Sequence, residues 1–411
     1  MKFHLKMDYN FIHLILIFLL IIISLIGVIV EIKKTFNTNK MACYLNSNST
    51  CLIGGNNRRF NTSDIAYEEV QKIRREEENN KDYIRNLLGA SEDTEVIFTS
   101  GATESIATVL NWSKSCNKYG IVCGSDFDHN TVELNCNNQE LKYKKVDINN
   151  IIENKSKFDL NCGCVFLTHV SPHTGEIIPM EKISNLIDDV YLEEVNSEND
   201  DLSEVSYQYR PLVFLDVSQS IGKIPIKMKE WNVDGIFFSL HKLGGDLNCG
   251  VLLIKNSKNK PFKPLIAGKQ QGGLRGGTYN SYAYLNLKNL IENYSSHYDK
   301  NGCKKAWEKI YKKLTLEGLD VVEPEFEHLH NTILINTNKC SFNMIAELSE
   351  YGIYTSGKTS CDSINTNENS TLRLSFMDDN INDKTINKII EIVNKYENQS
   401  ENQSEDSSEE N

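Results

Sequence analysis

Six short apolar runs, separated by helical or loop-like sequence, set the tightest limit on how this chain folds. The first is Glu95-Val96-Ile97-Phe98-Thr99, and the others end at Val122, Leu167, Leu215, Phe238 and Ile254. A charged, amphipathic stretch, Ile65–Leu88, precedes them and reads as a helix. Alternation of short strands with helices argues for an α/β domain with a largely parallel sheet. In such folds ligand groups collect at the carboxyl ends of the strands.

Three candidate sites sit at those ends. Thr99-Ser100-Gly101-Ala102-Thr103-Glu104-Ser105 follows a strand and opens a helix, and Gly101 permits a tight turn with backbone N–H groups facing an anion. Taken alone, it reads equally as a capped helix start with Glu104 in the first turn. Leu215-Asp216-Val217-Ser218-Gln219-Ser220 carries an acid at a strand end, where a carboxylate also serves as a turn former. Phe237-Phe238-Ser239-Leu240-His241-Lys242 ends an apolar run in Ser, His and Lys. A lysine at the end of a buried strand is costly unless it is paired, solvated or chemically used.

The 411 residues suffice for two or three domains, and 44 Lys plus Arg against 56 Asp plus Glu give a net charge of -12. Nucleic acid is thereby excluded as a partner, since binding it needs a compensating basic face. Much of the acid excess lies in Glu193–Glu204, which reads as a polar surface insertion, and in the apolar-free tail 397–411, which reads as disordered. The 11 cysteines show no repeated metal spacing, so no metal site is expected, and they suit reduced thiols better than a disulfide framework. Phe11–Val30 (FIHLILIFLLIIISLIGVIV) has no formal charge and is long enough to span a bilayer, so it reads as an uncleaved transmembrane helix. Lys2 and Lys6 precede it, whereas Lys33, Lys34 and Lys40 follow, which predicts a single-pass membrane protein with its catalytic body in the cytoplasm.

Taken together and in order, TSGATES (99–105), DHN (128–130), THVSPHTGEIIP (168–179), LDVSQSIGKIPI (215–226), SLHK (239–242), GGLRGGT (272–278) and TSGKTSC (355–361) resemble the class V aminotransferase group of fold type I enzymes that use pyridoxal 5'-phosphate (PLP). Within that group the set is most similar to the NifS-like cysteine desulfurases. The resemblance runs from about Ala42 to Tyr396. It implies a large PLP-binding domain with a mostly parallel mixed sheet (65–290), a smaller C-terminal α+β domain with the catalytic cysteine loop (291–396), and an arm (41–64) behind the anchor-bearing segment 1–40.

The resemblance also implies roles. Lys242 would hold PLP through its ε-amine, Asp216 would pair with the pyridine nitrogen, and Gln219 would meet the ring hydroxyl. His129 would stack on the ring and could shuttle protons. The phosphate would sit on the Ala102 and Thr103 amides with Ser239 and His241, while Thr278 would reach it from the second subunit of a homodimer. Arg373 would clamp the substrate carboxylate, and Cys361 would attack the sulfur of L-cysteine or a similar amino acid, giving L-alanine and a persulfide for a sulfur-acceptor protein. In this chain Lys358-Thr359-Ser360 puts one residue more than the family pattern between Gly357 and Cys361. Two other readings stay open: a further class V reaction such as transamination or selenocysteine lysis, which needs no nucleophilic Cys361, and a catalytically altered PLP-fold scaffold at a membrane.

Overall fold

A computed structural model of the chain describes residues 60–116, 120–153, 162–197, 210–255, 261–338, 341–357 and 370–398. The chain divides into Met1–Asn61 and Thr62–Asn411, and the architecture below belongs to the second unit. Cys361 lies outside the described residues, as do 41–59 of the expected arm (41–64) and 399–411 of the expected tail; Glu397 and Asn398, expected to be disordered, instead end the helix Asp383–Asn398. The polar insertion expected at 193–204 begins as the last part of a helix, Met180–Ser197, and its remainder is likewise outside them.

The six runs form strands β1 (Glu95–Thr99), β2 (Ile121–Ser125), β4 (Cys164–Thr168), β5 (Leu212–Asp216), β6 (Gly235–Ser239) and β7 (Gly250–Ile254), joined by β3 (Lys142–Val146). They make one seven-stranded mixed sheet in the order β1-β7-β6-β5-β4-β2-β3. Strands β3, β2, β4, β5 and β6 are parallel, and β7 runs antiparallel between β6 and β1. Alternate residues feed opposite cores, which is why the runs are continuously apolar. On one face Val165, Leu167, Val213, Leu215 and Phe238 pack with Ile84 and Leu88 from the region of helix α1 (Glu68–Leu87) and with Ile183 and Ile187 of α5 (Met180–Ser197). On the other face Cys164, Phe166, Phe214 and Phe237 pack with Ile106, Val109 and Leu110 of α2 (Ala102–Cys116) and Val132 of α3 (Thr131–Asn138).

Both sheet edges are protected against further strand pairing. Strand β3 (KYKKV) exposes its lysines, a common defence of an open edge. At the β1 edge the Gln271 side chain mimics a strand, accepting from the Phe98 N–H at 2.7 Å and donating to the Phe98 carbonyl at 2.8 Å. After the short helix α4 (Ile148–Ile152), α6 (Leu287–His297) closes on the first core through Leu287 and Ile291. A third core then gathers α7 (Lys300–Leu316), β8 (Thr332–Asn336), α8 (Ser341–Glu350), β9 (Thr371–Ser375) and α9 (Asp383–Asn398), with β8 and β9 antiparallel.

The expected transmembrane helix and cytoplasmic-facing membrane placement are corrected here. No helix of the described residues is long and apolar enough to cross a membrane. Crossing takes about 20 predominantly apolar residues. The helices of comparable length, α1 (EEVQKIRREEENNKDYIRNL) and α5 (MEKISNLIDDVYLEEVNS), are rich in charged residues. Phe11–Val30 itself lies outside the described residues, and the placement drawn from it is not retained.

Gly250 positions the site. It is the register partner of both Thr99 in β1 and Ser239 in β6, so it draws the Ser100–Ala102 turn onto the end of β6. A Cβ at Gly250 would lie 2.5 Å from Gly101 Cα, a contact with backbone that no side-chain rotation relieves. Gly250→Ala is therefore expected to destabilise the protein by about 1–3 kcal/mol in urea unfolding. An unchanged midpoint would show that the turn yields freely.

Candidate active site

Asp216 is the last residue of β5, with Thr168 of β4 and Phe237 of β6 as its register neighbours. The Ser218 N–H donates to Oδ1 at 2.8 Å, and the His169 N–H donates to the Asp216 carbonyl at 3.0 Å. Burial raises the carboxyl above its ordinary range, while the Ser218 hydrogen bonds and the nearby charge of Lys242 oppose the rise. Lys242 lies on the single helical turn Leu240–Leu243 that follows β6. Buried Leu240 and Leu243 pin that turn, and Gly244 ends it in the left-handed region at φ 79°, so the Lys242 side chain remains exposed. His241 is exposed beside it, its imidazole held below the ordinary range by partial desolvation and by the Lys242 charge. Half-buried Gln219 follows three residues after the acid.

A second carboxylate lies beside this group. Asp128 accepts from the Ser125 N–H (2.8 Å), the Ser125 hydroxyl (2.7 Å) and the Thr168 hydroxyl (2.8 Å). Burial outweighs these donors and pushes its carboxyl up to about 7, with Asp216 adding to the rise. Next in the chain, half-buried His129 turns Nδ1 toward the Thr131 N–H at 3.2 Å and the Thr131 hydroxyl at 2.7 Å. An amide N–H can only donate, so Nδ1 accepts and the neutral ring carries its proton on Nε2.

The start of α2 faces the end of β6. The Ala102 N–H, expected to face an anion directly, donates instead to Ser239 Oγ at 2.8 Å. Because that oxygen accepts, the Ser239 hydroxyl keeps its own proton to donate. The Thr103 amide belongs to the first helical turn, where amides have no partner within the helix. Glu104 accepts from the Ser100 N–H (2.8 Å), and the Arg275 fork grips both its oxygens at 2.8 and 3.0 Å. This bidentate pair ties the glycine-rich loop to the same chain's helix. The exposed Thr278 hydroxyl makes no hydrogen bond among the described residues.

Arg373 comes from β9, where its backbone pairs with Ser356. Its Nε donates to Ser356 Oγ at 3.1 Å and its Nη1 to the Pro172 carbonyl at 2.8 Å. Pro172 follows His169 by three residues, so the guanidinium is anchored on a loop that begins beside Asp216. Partial burial lowers its pKa from the ordinary value. The fold thus gathers Asp216, His129, Lys242, Ser239 and Ala102 at one strand edge and ties Arg373 to a loop leaving it; Cys361 is outside the described residues. Sequence reasoning did not single out Asp128, Thr168, Glu104 with Arg275, or Thr131. For Asp128 the available indication was an acid immediately before His129 in a strand-end loop.

The sequence profile of the aminotransferase class-V family matches residues 55–192 and 196–385. A cysteine desulfurase of Cereibacter sphaeroides is 27% identical over 221 residues, 51% of this chain and 51% of that protein. The chain spans about half the length of the curated relatives it matches. Among solved structures, a NifS-like protein superposes with a TM-score of 0.64 at 22% identity, over 82% of this chain and 91% of that one. The apo cysteine desulfurase of Thermococcus onnurineus NA1 gives 0.64 at 17% identity, over 83% and 88% of the two chains. These superpositions establish a fold in common, that of the fold type I PLP-dependent transferases.

The paired acids carry a pH dependence. Both Asp128 and Asp216 bind protons more tightly folded than unfolded. Between about pH 4 and pH 7 the native state then holds the extra protons, so stability falls as pH rises through that window. Asp128→Asn is expected to flatten this slope in urea unfolding of the cofactor-free protein. An equally steep slope in the variant would refute the assignment to Asp128.

Proposed function

This chain belongs to the aminotransferase class-V family, and on that premise we propose that it is a PLP-dependent cysteine desulfurase, releasing L-alanine from L-cysteine and retaining the sulfur as a persulfide on Cys361. The observation that carries this reading is the convergence of an acid, an imidazole and an amine, Asp216, His129 and Lys242, at a single strand edge beside the opening turn of α2. The names of the relatives favour cysteine as the substrate.

The residues fit the cofactor's chemistry group by group. A phosphate with close to two negative charges needs several donors. The Thr103 amide, the Ser239 hydroxyl released by its acceptance from Ala102, and His241 supply them at a helix start that itself favours anions. Asp216, already shielded from water, would keep the pyridine nitrogen protonated, and Gln219 would meet the ring hydroxyl. PLP, when bound, supplies an electron sink for the substrate carbon that loses its proton. Lys242 would hold the cofactor and afterwards take the substrate's Cα proton on Nζ. His129 would lie against the ring face with its proton on Nε2. Arg373 would receive the substrate carboxylate in its planar fork. The Cys361 thiol would attack the substrate sulfur; the new S–S bond forms as the C–S bond breaks, so cysteine plus thiol becomes alanine plus persulfide with no external oxidant. A sulfur-acceptor protein would then take the outer sulfur.

The glycine-rich loop bears an exposed Thr278 and is tied by Arg275 to its own chain's helix. We assign Thr278 to the phosphate of a neighbouring subunit in a homodimer. The large domain 65–290 and small domain 291–396 are proposed on the ground that the third core draws only on residues from Ala306 onward.

Incubating the full chain with PLP, L-cysteine and a thiol reductant should yield alanine and sulfide in equal amounts. Cys361→Ser should lose at least about a hundredfold in alanine formation while keeping its visible cofactor absorption. Lys242→Ala should lose the label that borohydride otherwise fixes on that residue. Undiminished alanine formation by Cys361→Ser would overturn the desulfurase reading.

A further inference from the structure

Glu176 is 5% exposed, yet it makes no ion pair among the described residues. Its two carboxylate oxygens are held by hydrogen bonds that lead in different directions. Oε2 accepts from the Thr174 hydroxyl at 2.5 Å, within its own turn. Oε1 accepts from the Glu325 N–H at 2.7 Å, in a segment 149 residues further along the chain. A buried carboxylate with so few donors is expensive to keep, and truncating it strands the donors as well.

The turn that carries Glu176 is closed on itself. The Ser171 N–H donates to the Glu176 carbonyl (2.8 Å), the Gly175 N–H donates to the Ser171 carbonyl (3.0 Å), and Ser171 Oγ accepts from the His173 and Thr174 amides. It is also clamped from outside. The Ile177 N–H donates to the Glu327 carbonyl at 2.8 Å and the Leu329 N–H to the Gly175 carbonyl at 2.7 Å. The approach is close enough that a Cβ at Gly175, which sits at φ +79°, would lie 2.6 Å from Leu329 O. Within this braced turn lies Pro172, whose carbonyl accepts from Arg373 Nη1 at 2.8 Å.

We propose that Glu176 is a positioning residue for the substrate's carboxylate: by bolting the Ser171–Glu176 turn to the 325–329 segment, it holds the Pro172 carbonyl where it aims the Arg373 fork. Ser356 steadies the guanidinium from the β9 side and Pro172 from the sheet side, so loosening the turn releases a tether on the sheet side. A planar fork recognises a carboxylate only within a narrow range of angles. The consequence falls on substrate binding, because Glu176 contacts neither the cofactor's phosphate donors nor Asp216. The inference rests on the proposed role of Arg373 in cysteine binding.

The test uses the full-length, PLP-loaded protein. Glu176→Ala should raise KM for L-cysteine about tenfold with kcat within about twofold, as expected for an aligned charged hydrogen bond lost in binding. Glu176→Gln keeps an acceptor for the Glu325 N–H and should give a smaller rise, about threefold, which decides the matter if the alanine variant does not fold. Bound PLP, read from visible absorption, should be unchanged in both. In an Arg373→Lys background, Glu176→Ala should raise KM no further, since the two act through one path. An unchanged KM in the Glu176 variants, or the same additional rise in the Arg373→Lys background, would overturn the proposal. A wild-type protein that forms no alanine would refute the desulfurase reading instead. Spectroscopic titration with L-alanine would still compare the variants, and equal affinities there would also count against Glu176.

Discussion

Asp216 closes a strand buried on both faces, and its carboxylate sits where the sheet's apolar core meets the loops. Without a cationic ligand beside it, the group is drawn toward its neutral form. Much else at this edge answers to that circumstance. Ser218 holds one oxygen, His169 holds the backbone carbonyl, and Lys242 contributes nearby positive charge. Asp128 stands beside it with a similarly strained protonation balance, kept in place by Ser125 and Thr168. A cationic ring nitrogen entering this edge would relieve both acids at once. The same burial that makes the carboxylate unstable alone makes it selective for such a partner.

The parts of the structure readable from sequence are those governed by local pattern. The sheet announced itself because central parallel strands are buried on both sides and therefore read as unbroken apolar runs. Asp216, Ser239 and Lys242 were visible because polarity switches abruptly where each run ends. Interactions between distant segments left no such trace. Thr168 meets Asp128 across 40 residues, Arg275 meets Glu104 across 171, and Arg373 meets Pro172 across 201. In each case neither partner stands out in its local context, and only the folding of distant segments brings them together. The membrane placement failed for the opposite reason. It drew on one apolar segment in isolation, whereas every described helix long enough to approach a span is heavily charged.

Around this edge, different parts of the chain supply different functions. The helix start and the end of β6 offer donors to an anion, the ends of β2, β4 and β5 offer acids and an imidazole, and β9 offers the guanidinium. The last is the most distant contributor, and it is also the one braced from two sides. Its guanidinium is held by Ser356 Oγ and the Pro172 carbonyl, 17 and 201 residues away in the chain.

The order of the strands carries a consequence for synthesis. Within the seven-stranded sheet, β1, the first of these strands to be made, pairs with β7, the last of them. More than a hundred residues separate them, and at typical elongation rates this interval is on the order of ten seconds. Throughout it, the ladder of backbone hydrogen bonds that β7 supplies to β1 is missing, although Ile84 and Ile106, which share cores with Phe98 and Ile97, are made early. The Ser100–Ala102 turn that follows β1 meets Gly250 only when β7 arrives. The nascent chain thus carries an unpaired β1 edge until β7 is made, a backbone ladder open to the wrong strand in the meantime.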